Sequence, residues 1–330
     1  MSALAPTLEA YFTERLVHQR QASPNTIAAY RDAWRLLLVF VQQRIGKEPY
    51  QLDLGDLDAS LVAAFLQHLE TERHNSVRTR NARLAAIRSF FRFAALRHPE
   101  HAALIARVLA IPTKRCERAI VSYLTGPEAD ALVASPHNDT WHGRRDHAIL
   151  AVALQTGLRA SELTGLRNQD VELRTGAHVR CWGKGRKQRA TPLRPRTASV
   201  LRSWMKQCAG RPEDPLFPTR RGTPLSRHAI AALVAKHAAT AAKREPSLIG
   251  TKQVTPHVLR HSCAMALLRG GVDRSVLALW LGHEQVETTS MYLHADLSIK
   301  ERALDRTRPP HVRPGRYRPP ERLLAFLKAL

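Results

Sequence analysis

The stretch 255–295 concentrates side chains that could act together on a phosphate. His257 and Arg260 lie three positions apart, so on a helix they share a face and can address the same ligand. Thr255 and Pro256 are the residue types that favour the N-cap and the first position of a helix. A helix beginning there would also present free backbone N–H groups to an anion.

Two further polar side chains follow in the same stretch. The pattern predicts a short helix over Arg274–Leu281 that ends at Gly282, with His283 on the loop after it. Tyr292 comes nine residues after His283, half a turn out of phase if one helix ran through both. A break at Gly282 would let both side chains reach one site. The set indicates chemistry on a phosphate, with the tyrosine as nucleophile.

More cationic groups lie upstream. A helix predicted near 144–156 ends at Gly157, and Arg159 and Glu162 follow it, three residues apart. The carboxylate can orient the guanidinium without filling the phosphate-facing side of its fork. The alternative interpretation is an ordinary ion pair on a helix surface.

A hairpin is predicted over 177–193, where short strand-like runs flank a turn with a lysine between two glycines. Lys184 in this turn could reach a reacting oxygen, and Lys187 and Arg189 could anchor neighbouring phosphates. A lysine in a loop is more often exposed and has no role in chemistry. The predicted role of Lys184 therefore depends on the other candidate site residues.

Composition favours a polyanionic partner. The chain has 330 residues, enough for two domains, and 44% of them are hydrophobic. Lys and Arg number 51 against 28 acidic residues, a formal net charge of +23. Such an excess is typical of DNA binding. No apolar run is long enough to span a membrane, the N-terminus does not resemble a signal peptide, and the four cysteines lack CxxC spacing. We expect buried, reduced cysteines, no membrane partner and a bacterial cytoplasmic location at the nucleoid.

The elements that must position the site divide into two sets. The first 110 residues predict a basic helical bundle, with helices over 7–21, 24–44, from Asp58 or Ser60, and over 77–97. Its last helix carries Arg78, Arg80 and Arg83, which we expect to contact the DNA backbone, although a solvated face is the alternative. The expected domain boundaries are 1–110, a linker at 111–120, a second domain at 121–308 and a tail at 309–330.

The rest of the chain adds helices and a tail but no cofactor motif. Helices are predicted over 197–209 and 226–243, and the tail is a basic, proline-rich tether followed by an amphipathic helix over 321–330. The sequence contains no repeat, glycine-rich nucleotide loop, acidic metal cluster or HExxH motif, so we expect neither a cofactor nor a metal.

Six residues in order resemble the tyrosine recombinase (phage integrase) family, and their spacing is similar to that of its Xer-type members. They are Arg159 in TGLRASEL, Lys184 in GKGRKQR, His257 and Arg260 in HVLRH, His283 in LGH and Tyr292 in MYLH. The resemblance covers nearly the whole chain. It implies a mainly α fold with a small β-hairpin or sheet, built from a SAM-like core-binding bundle and a tyrosine-recombinase catalytic domain.

The resemblance also implies roles. Tyr292 would attack a DNA phosphate, with His257 as proton acceptor or phosphate-orienting group and Lys184 as general acid. Arg159, Arg260 and His283 would bind the non-bridging oxygens, with Glu162 in support. Expected partners are double-stranded DNA and three further subunits, identical or related, on synapsed sites. The expected task is integration, excision or resolution, with a mobile element favoured. A type IB-like topoisomerase and a catalytically silent DNA-binding relative are the alternatives.

Overall fold

The structure is a computed structural model, and it describes residues 4–116, 121–183, 188–248 and 252–282. The predictions on Lys184, Lys187, His283, Tyr292 and the tail 309–330 lie outside these residues. The chain forms two compact units, Met1–Arg118 and Ala119–Leu330, whose division falls within the stretch predicted as a linker.

The described residues of the first unit form helices joined by loops, with no strand among them. Helix α1 spans Leu4–Ala10 and continues as a wider π-type helix over Tyr11–Gln19. It is followed by α2 (Pro24–Ile45), α3 (Ala59–Thr71), α4 (Val77–Ala94) and α5 (Ala102–Ala110).

Side-chain caps explain where three of these helices begin. Ser23, Asp58 and Ser76 each accept a hydrogen bond from a backbone N–H in the first turn of α2, α3 and α4. Their apolar faces meet in an aromatic core, where Phe90 lies edge-on to Trp34 with ring centroids 4.5 Å apart and to Tyr11 at 5.6 Å.

The second unit carries its helices around a small sheet. The helices are α6 (Gly126–Val133), α7 (Trp141–Thr156), α8 (Ala160–Gly165), α9 (Pro195–Cys208), α10 (Arg227–Ala241), α11 (Pro256–Arg269) and α12 (Arg274–Leu281). Helix α7 packs against α9 and α11 and buries Ile149, Leu150 and Val152 completely. The helix that leads to Arg159 is therefore a central element of the core.

The strands are β1 (Val171–Glu172), β2 (His178–Trp182) and β3 (Gln188–Pro192), antiparallel in the order β1-β2-β3. Trp182 pairs with Gln188, so β2 and β3 bracket residues 184–187 as a hairpin. Val179 and Cys181 on β2 and Thr191 on β3 point into the core, following the alternation of a half-buried strand.

The predicted fold class, mainly α with a small sheet, is confirmed. Helix α5 and strand β1 were not predicted, and Cys116 is exposed rather than buried. None of the described helices is long and apolar enough to cross a bilayer.

Candidate active site

The turn between α7 and α8 positions Arg159. Gly157 ends α7 with φ +64°, and a Cβ there would lie 2.7 Å from Leu281 Cδ2 and 3.2 Å from Cys263 Sγ. Only glycine meets both requirements, a left-handed backbone and close approach to α11 and α12. Arg159 follows as the residue before the first turn of α8.

Glu162 binds Arg159 from the first turn of α8. Its carboxylate accepts the backbone N–H of Arg159 at 2.7 Å and the Nη1 of the same residue at 2.8 Å. The Arg159 side chain remains 30% exposed, whereas that of Glu162 is 4% exposed. The guanidinium is therefore oriented by a buried carboxylate while part of it faces solvent, which is what binding an external anion requires.

Helix α11 begins as its sequence predicts and contributes two site residues. Thr255 accepts a hydrogen bond from Val258 N, and Pro256 is the first helical residue. His257 is exposed, whereas Arg260 is 4% exposed and donates from Nη1 to Gly157 O at 2.6 Å. Helix α11 therefore places the buried guanidinium of Arg260 in contact with the Gly157 turn.

A second histidine lies beside the first on α11. The rings of His257 and His261 are stacked with centroids 6.2 Å apart. Burial, followed by the charges of His257 and Arg260, lowers the pKa of His261 to about 4. His261 is therefore uncharged at neutral pH, so it adds no further positive charge beside Arg260.

Three consecutive carbonyls at the end of α12 each accept a hydrogen bond from a different arginine. Trp280 O accepts from Arg189 Nε at 3.1 Å. Leu281 O accepts from Arg260 Nη2 at 2.6 Å, and Gly282 O accepts from Arg159 Nη2 at 3.2 Å. The last carbonyls of a helix lack partners within the helix and carry partial negative charge, so the three cations satisfy and stabilise this end. We call this arrangement the α12 arginine cap.

Glu162 joins two arginines of the α12 arginine cap. Arg189 Nη1 donates to its Oε1 at 3.0 Å and Arg189 Nη2 to its Oε2 at 2.8 Å, a bidentate pair. Burial alone would raise the pKa of Glu162, but the hydrogen bonds from Arg189 and Arg159 outweigh it and hold that pKa below its usual value. One carboxylate thus lies among three guanidiniums, which leaves the site cationic.

The arginines predicted to contact DNA occupy different environments. Arg78 is exposed and Arg83 is half-buried. Arg80 is 6% exposed, and its Nη1 donates to Asn81 Oδ1 at 3.1 Å and to Pro112 O at 3.0 Å. In this structure Arg80 and Arg189 bond to groups of the protein itself, where the sequence predicted contacts with phosphate.

The structure brings together five of the predicted site residues, namely Arg159, Glu162, Arg189, Arg260 and, on the same turn as Arg260, His257. It adds contacts that the sequence analysis missed, namely those of Arg189 and the backbone carbonyls of α12. A usable signal was present, because alternation along β3 places Arg189 on the same face as the buried Thr191. Among the described residues, no three His, Cys, Asp or Glu side chains are grouped as metal ligands.

Two family models match this chain. Residues 122–298 match the model of the phage integrase family, and residues 10–98 match the model of the phage integrase N-terminal SAM-like domain. The protein y4rC of Sinorhizobium fredii, provisionally named an integrase/recombinase, is 54% identical over 100% of this chain and 99% of its own. The tyrosine recombinase XerC of Pelobacter propionicus is 33% identical over 90% of this chain and 94% of its own.

Solved structures show the same fold. A complex of the site-specific recombinase XerH with its difH substrate superposes with a TM-score of 0.69 at 21% identity, covering 87% of this chain and 81% of that one. Both family models match, and the relatives match along nearly their whole length. The chain therefore belongs to the phage integrase family of tyrosine recombinases.

Proposed function

We propose that this protein is a site-specific DNA recombinase that cuts and rejoins strands through a 3′-phosphotyrosyl intermediate formed by Tyr292. The observation that carries the proposal is the α12 arginine cap. It brings Arg159 and Arg260 from separate elements to the backbone directly before His283, with His257 on the same helix as Arg260. The names of the relatives point to the same activity.

The proposed reaction needs both acid and base assistance. Tyr292 Oη forms a bond to phosphorus while the bond from phosphorus to the 5′ oxygen breaks. A tyrosine with a pKa of about 10 is ionised in only about one molecule in a thousand at neutral pH, so His257 accepts its proton. Lys184 donates a proton to the departing 5′ oxygen, which is a poor leaving group as an alkoxide.

Charge on the phosphate is the other requirement. Negative charge on the non-bridging oxygens grows as the five-coordinate state forms, and guanidiniums fixed in advance stabilise it without reorganising. Arg159, Arg260 and His283 supply these hydrogen bonds in the proposal. Because the phosphotyrosine preserves the energy of the phosphodiester, a 5′-hydroxyl can reverse the step without ATP.

The proposal is tested by covalent adduct formation. The wild type and Tyr292→Phe are each incubated with fragmented genomic DNA from the source bacterium. The protein is then denatured, and the DNA that remains covalently bound to it is sequenced. Tyr317→Phe serves as a matched control, because Tyr317 lies in the proline-rich tail. We expect adducts in the wild type and the control, absent in Tyr292→Phe and clustered at one sequence.

Other outcomes would reject parts of the proposal. Adducts spread evenly over the DNA would favour a type IB-like topoisomerase. Salt-sensitive DNA binding with no adduct in any variant would favour a catalytically silent relative. A clustered site at the ends of a mobile element would support the expected task on a mobile element, whereas a chromosomal resolution site would exclude that task.

Assembly on DNA is part of the same proposal. We propose four subunits on two synapsed sites, with the helix predicted at 321–330 contacting a neighbouring subunit. Removing residues 321–330 should leave binding to a single site within two-fold and abolish the slower-migrating synaptic complex in gel electrophoresis. Unchanged recombination by the truncated protein would contradict a role for this helix.

A further inference from the structure

Arg189 uses all three nitrogens of its guanidinium inside the protein. Nε donates to Trp280 O, and Nη1 and Nη2 donate to the two oxygens of Glu162. The side chain is only 11% exposed. A guanidinium bound on these sides and this deeply buried has little surface left for a DNA phosphate.

The partners of Arg189 belong to two elements that each determine where a site residue lies. Glu162 on α8 binds the backbone and the side chain of Arg159. Trp280 lies one residue before Leu281 and two before Gly282, whose carbonyls accept from Arg260 and Arg159. Arg189 therefore links two groups. One is the Glu162 carboxylate, which orients Arg159, and the other is the end of α12, whose carbonyls bind both Arg159 and Arg260.

Close packing reinforces this link. A Cβ at Gly282 would lie 2.7 Å from Arg189 Nη1 and 3.2 Å from its Cζ, so the backbone directly before His283 rests against the guanidinium. Arg189 itself lies on β3, the second strand of the hairpin that brackets Lys184. A shift of this side chain would be transmitted to three segments that carry proposed catalytic groups.

We propose that Arg189 is a positioning residue for DNA strand cleavage: it fixes the Arg159–Glu162 pair against the end of α12 and does not contact DNA. This inference rests on the function proposed above. Lysine cannot replace it, because a single ammonium cannot form a bidentate pair with Glu162 and also reach Trp280 O with planar geometry.

The test separates positioning from phosphate binding with two variants, Arg189→Lys for the rate and the uncharged Arg189→Gln for the salt dependence of DNA affinity. Arg189→Lys retains the positive charge, and Arg180→Lys on β2 is a matched control, because Arg180 is exposed and bonds a single carbonyl, Gln169 O. Single-turnover adduct formation on the sequenced site is measured at saturating protein. The salt dependence of DNA affinity is measured in the Tyr292→Phe background, and thermal unfolding confirms that each variant is folded at the assay temperature.

We expect Arg189→Lys to slow adduct formation by about 100-fold, the order of magnitude that a small misplacement of catalytic groups costs. In Arg189→Gln, which removes the charge, DNA affinity and its salt slope should stay at the values of the Tyr292→Phe parent. Arg180→Lys should cleave within two-fold of the wild type. If Arg189→Lys does not fold, Glu162→Gln tests the same link, with the same loss of rate and the same unchanged salt slope.

Coupling between Arg189 and Glu162 in the rate of adduct formation distinguishes positioning from a role in fold stability alone. Because Arg189 acts through Glu162 in this proposal, combining Arg189→Lys with Glu162→Gln should slow the reaction by much less than the product of the two single effects. Multiplicative effects would overturn the proposal. So would an Arg189→Lys rate within two-fold of the wild type, or an Arg189→Gln salt slope reduced by about one, the mark of a lost phosphate contact. A wild type that forms no adduct would instead reject the proposed function.

Discussion

At the scale of single residues, the site is built from cations that are bound by the protein before any DNA arrives. Arg159 and Arg260 both donate to backbone carbonyls in the described structure, so their orientation does not depend on a substrate. Fixed donors of this kind stabilise developing charge more effectively than mobile ones, because no reorganisation is needed during the reaction. Two further predictions concern the individual side chains Lys184 and Glu162.

The role of Lys184 as general acid can be isolated by changing the leaving group. Lys184→Ala should slow cleavage of ordinary DNA by about 10²–10⁴-fold, the usual contribution of general acid catalysis. A substrate with sulfur in place of the bridging 5′ oxygen releases a thiolate, whose low pKa removes the need for a proton. We expect near wild-type cleavage of that substrate by the variant, measured by single-turnover adduct formation. Equal impairment on both substrates would contradict the acid role.

Glu162 should make the stability of the protein depend on pH. Its folded-state pKa lies below the usual value of about 4.3, so its contribution is complete above that value and is lost as pH falls through the folded pKa. Glu162→Gln should lower the free energy of unfolding at pH 7 by about 3 kcal/mol and flatten the loss of stability as pH falls below about 4.3. Glu213→Gln, an exposed site, is the control. Parallel curves for Glu162→Gln and the wild type would show that the carboxylate contributes nothing.

At the scale of elements, local chemistry predicted most boundaries. Asp58, Ser76 and Thr255 cap the helices that the sequence placed after them, and the helix predicted over Arg274–Leu281 has those bounds. These signals act within a few residues, which is why a single sequence is sufficient to find them.

Contacts between distant elements could not be predicted in the same way. Alternation along β3 could have placed Arg189 on the buried face, but nothing local to residues 188–192 specifies that its partners are Glu162 and Trp280 O. Likewise, the sequence shows Arg80 only as one of several arginines on a basic helix. Its burial becomes evident from the structure, where Arg80 Nη1 donates a hydrogen bond to Pro112 O. Helix α5 was not predicted, although Leu104, Ile105 and Val108 have helical spacing.

Gly157 should be indispensable to the turn before Arg159. Gly157→Ala combines an unfavourable left-handed backbone with a clash against Leu281. Gly176 has φ +76° with nothing within 4 Å of an added Cβ, so Gly176→Ala measures the backbone cost alone. We expect about 1 kcal/mol for Gly176→Ala and about 3 kcal/mol for Gly157→Ala. For a domain of this size, thermal unfolding should show Tm falling by about 2–4 °C per kcal/mol, and equal shifts would refute the close-approach argument.

At the scale of the whole molecule, the excess of basic residues has to be divided between DNA contacts and internal bonds. Arg78 and Arg80 lie two positions apart on α4, one exposed and one 6% exposed. Arg78→Ala should reduce the salt slope of DNA binding by about one and leave Tm unchanged. Arg80→Ala should leave the slope unchanged and destabilise the first unit by about 1–3 kcal/mol, since it removes hydrogen bonds from a charged donor. If instead Arg80→Ala reduced the salt slope and Arg78→Ala destabilised the protein, the assignment of Arg78 to DNA contact and Arg80 to internal bonds would be wrong.

The α12 arginine cap also has a consequence for how the protein is made. Its three hydrogen bonds join residues separated by 123, 91 and 21 positions in the chain. Contacts of such separation form late, because the loops between them must close first. During synthesis, a chain that has released α8 and the hairpin but not α12 has no carbonyls to align its arginines. The three arginines can therefore be aligned in this way only after the chain through Gly282 has emerged from the ribosome.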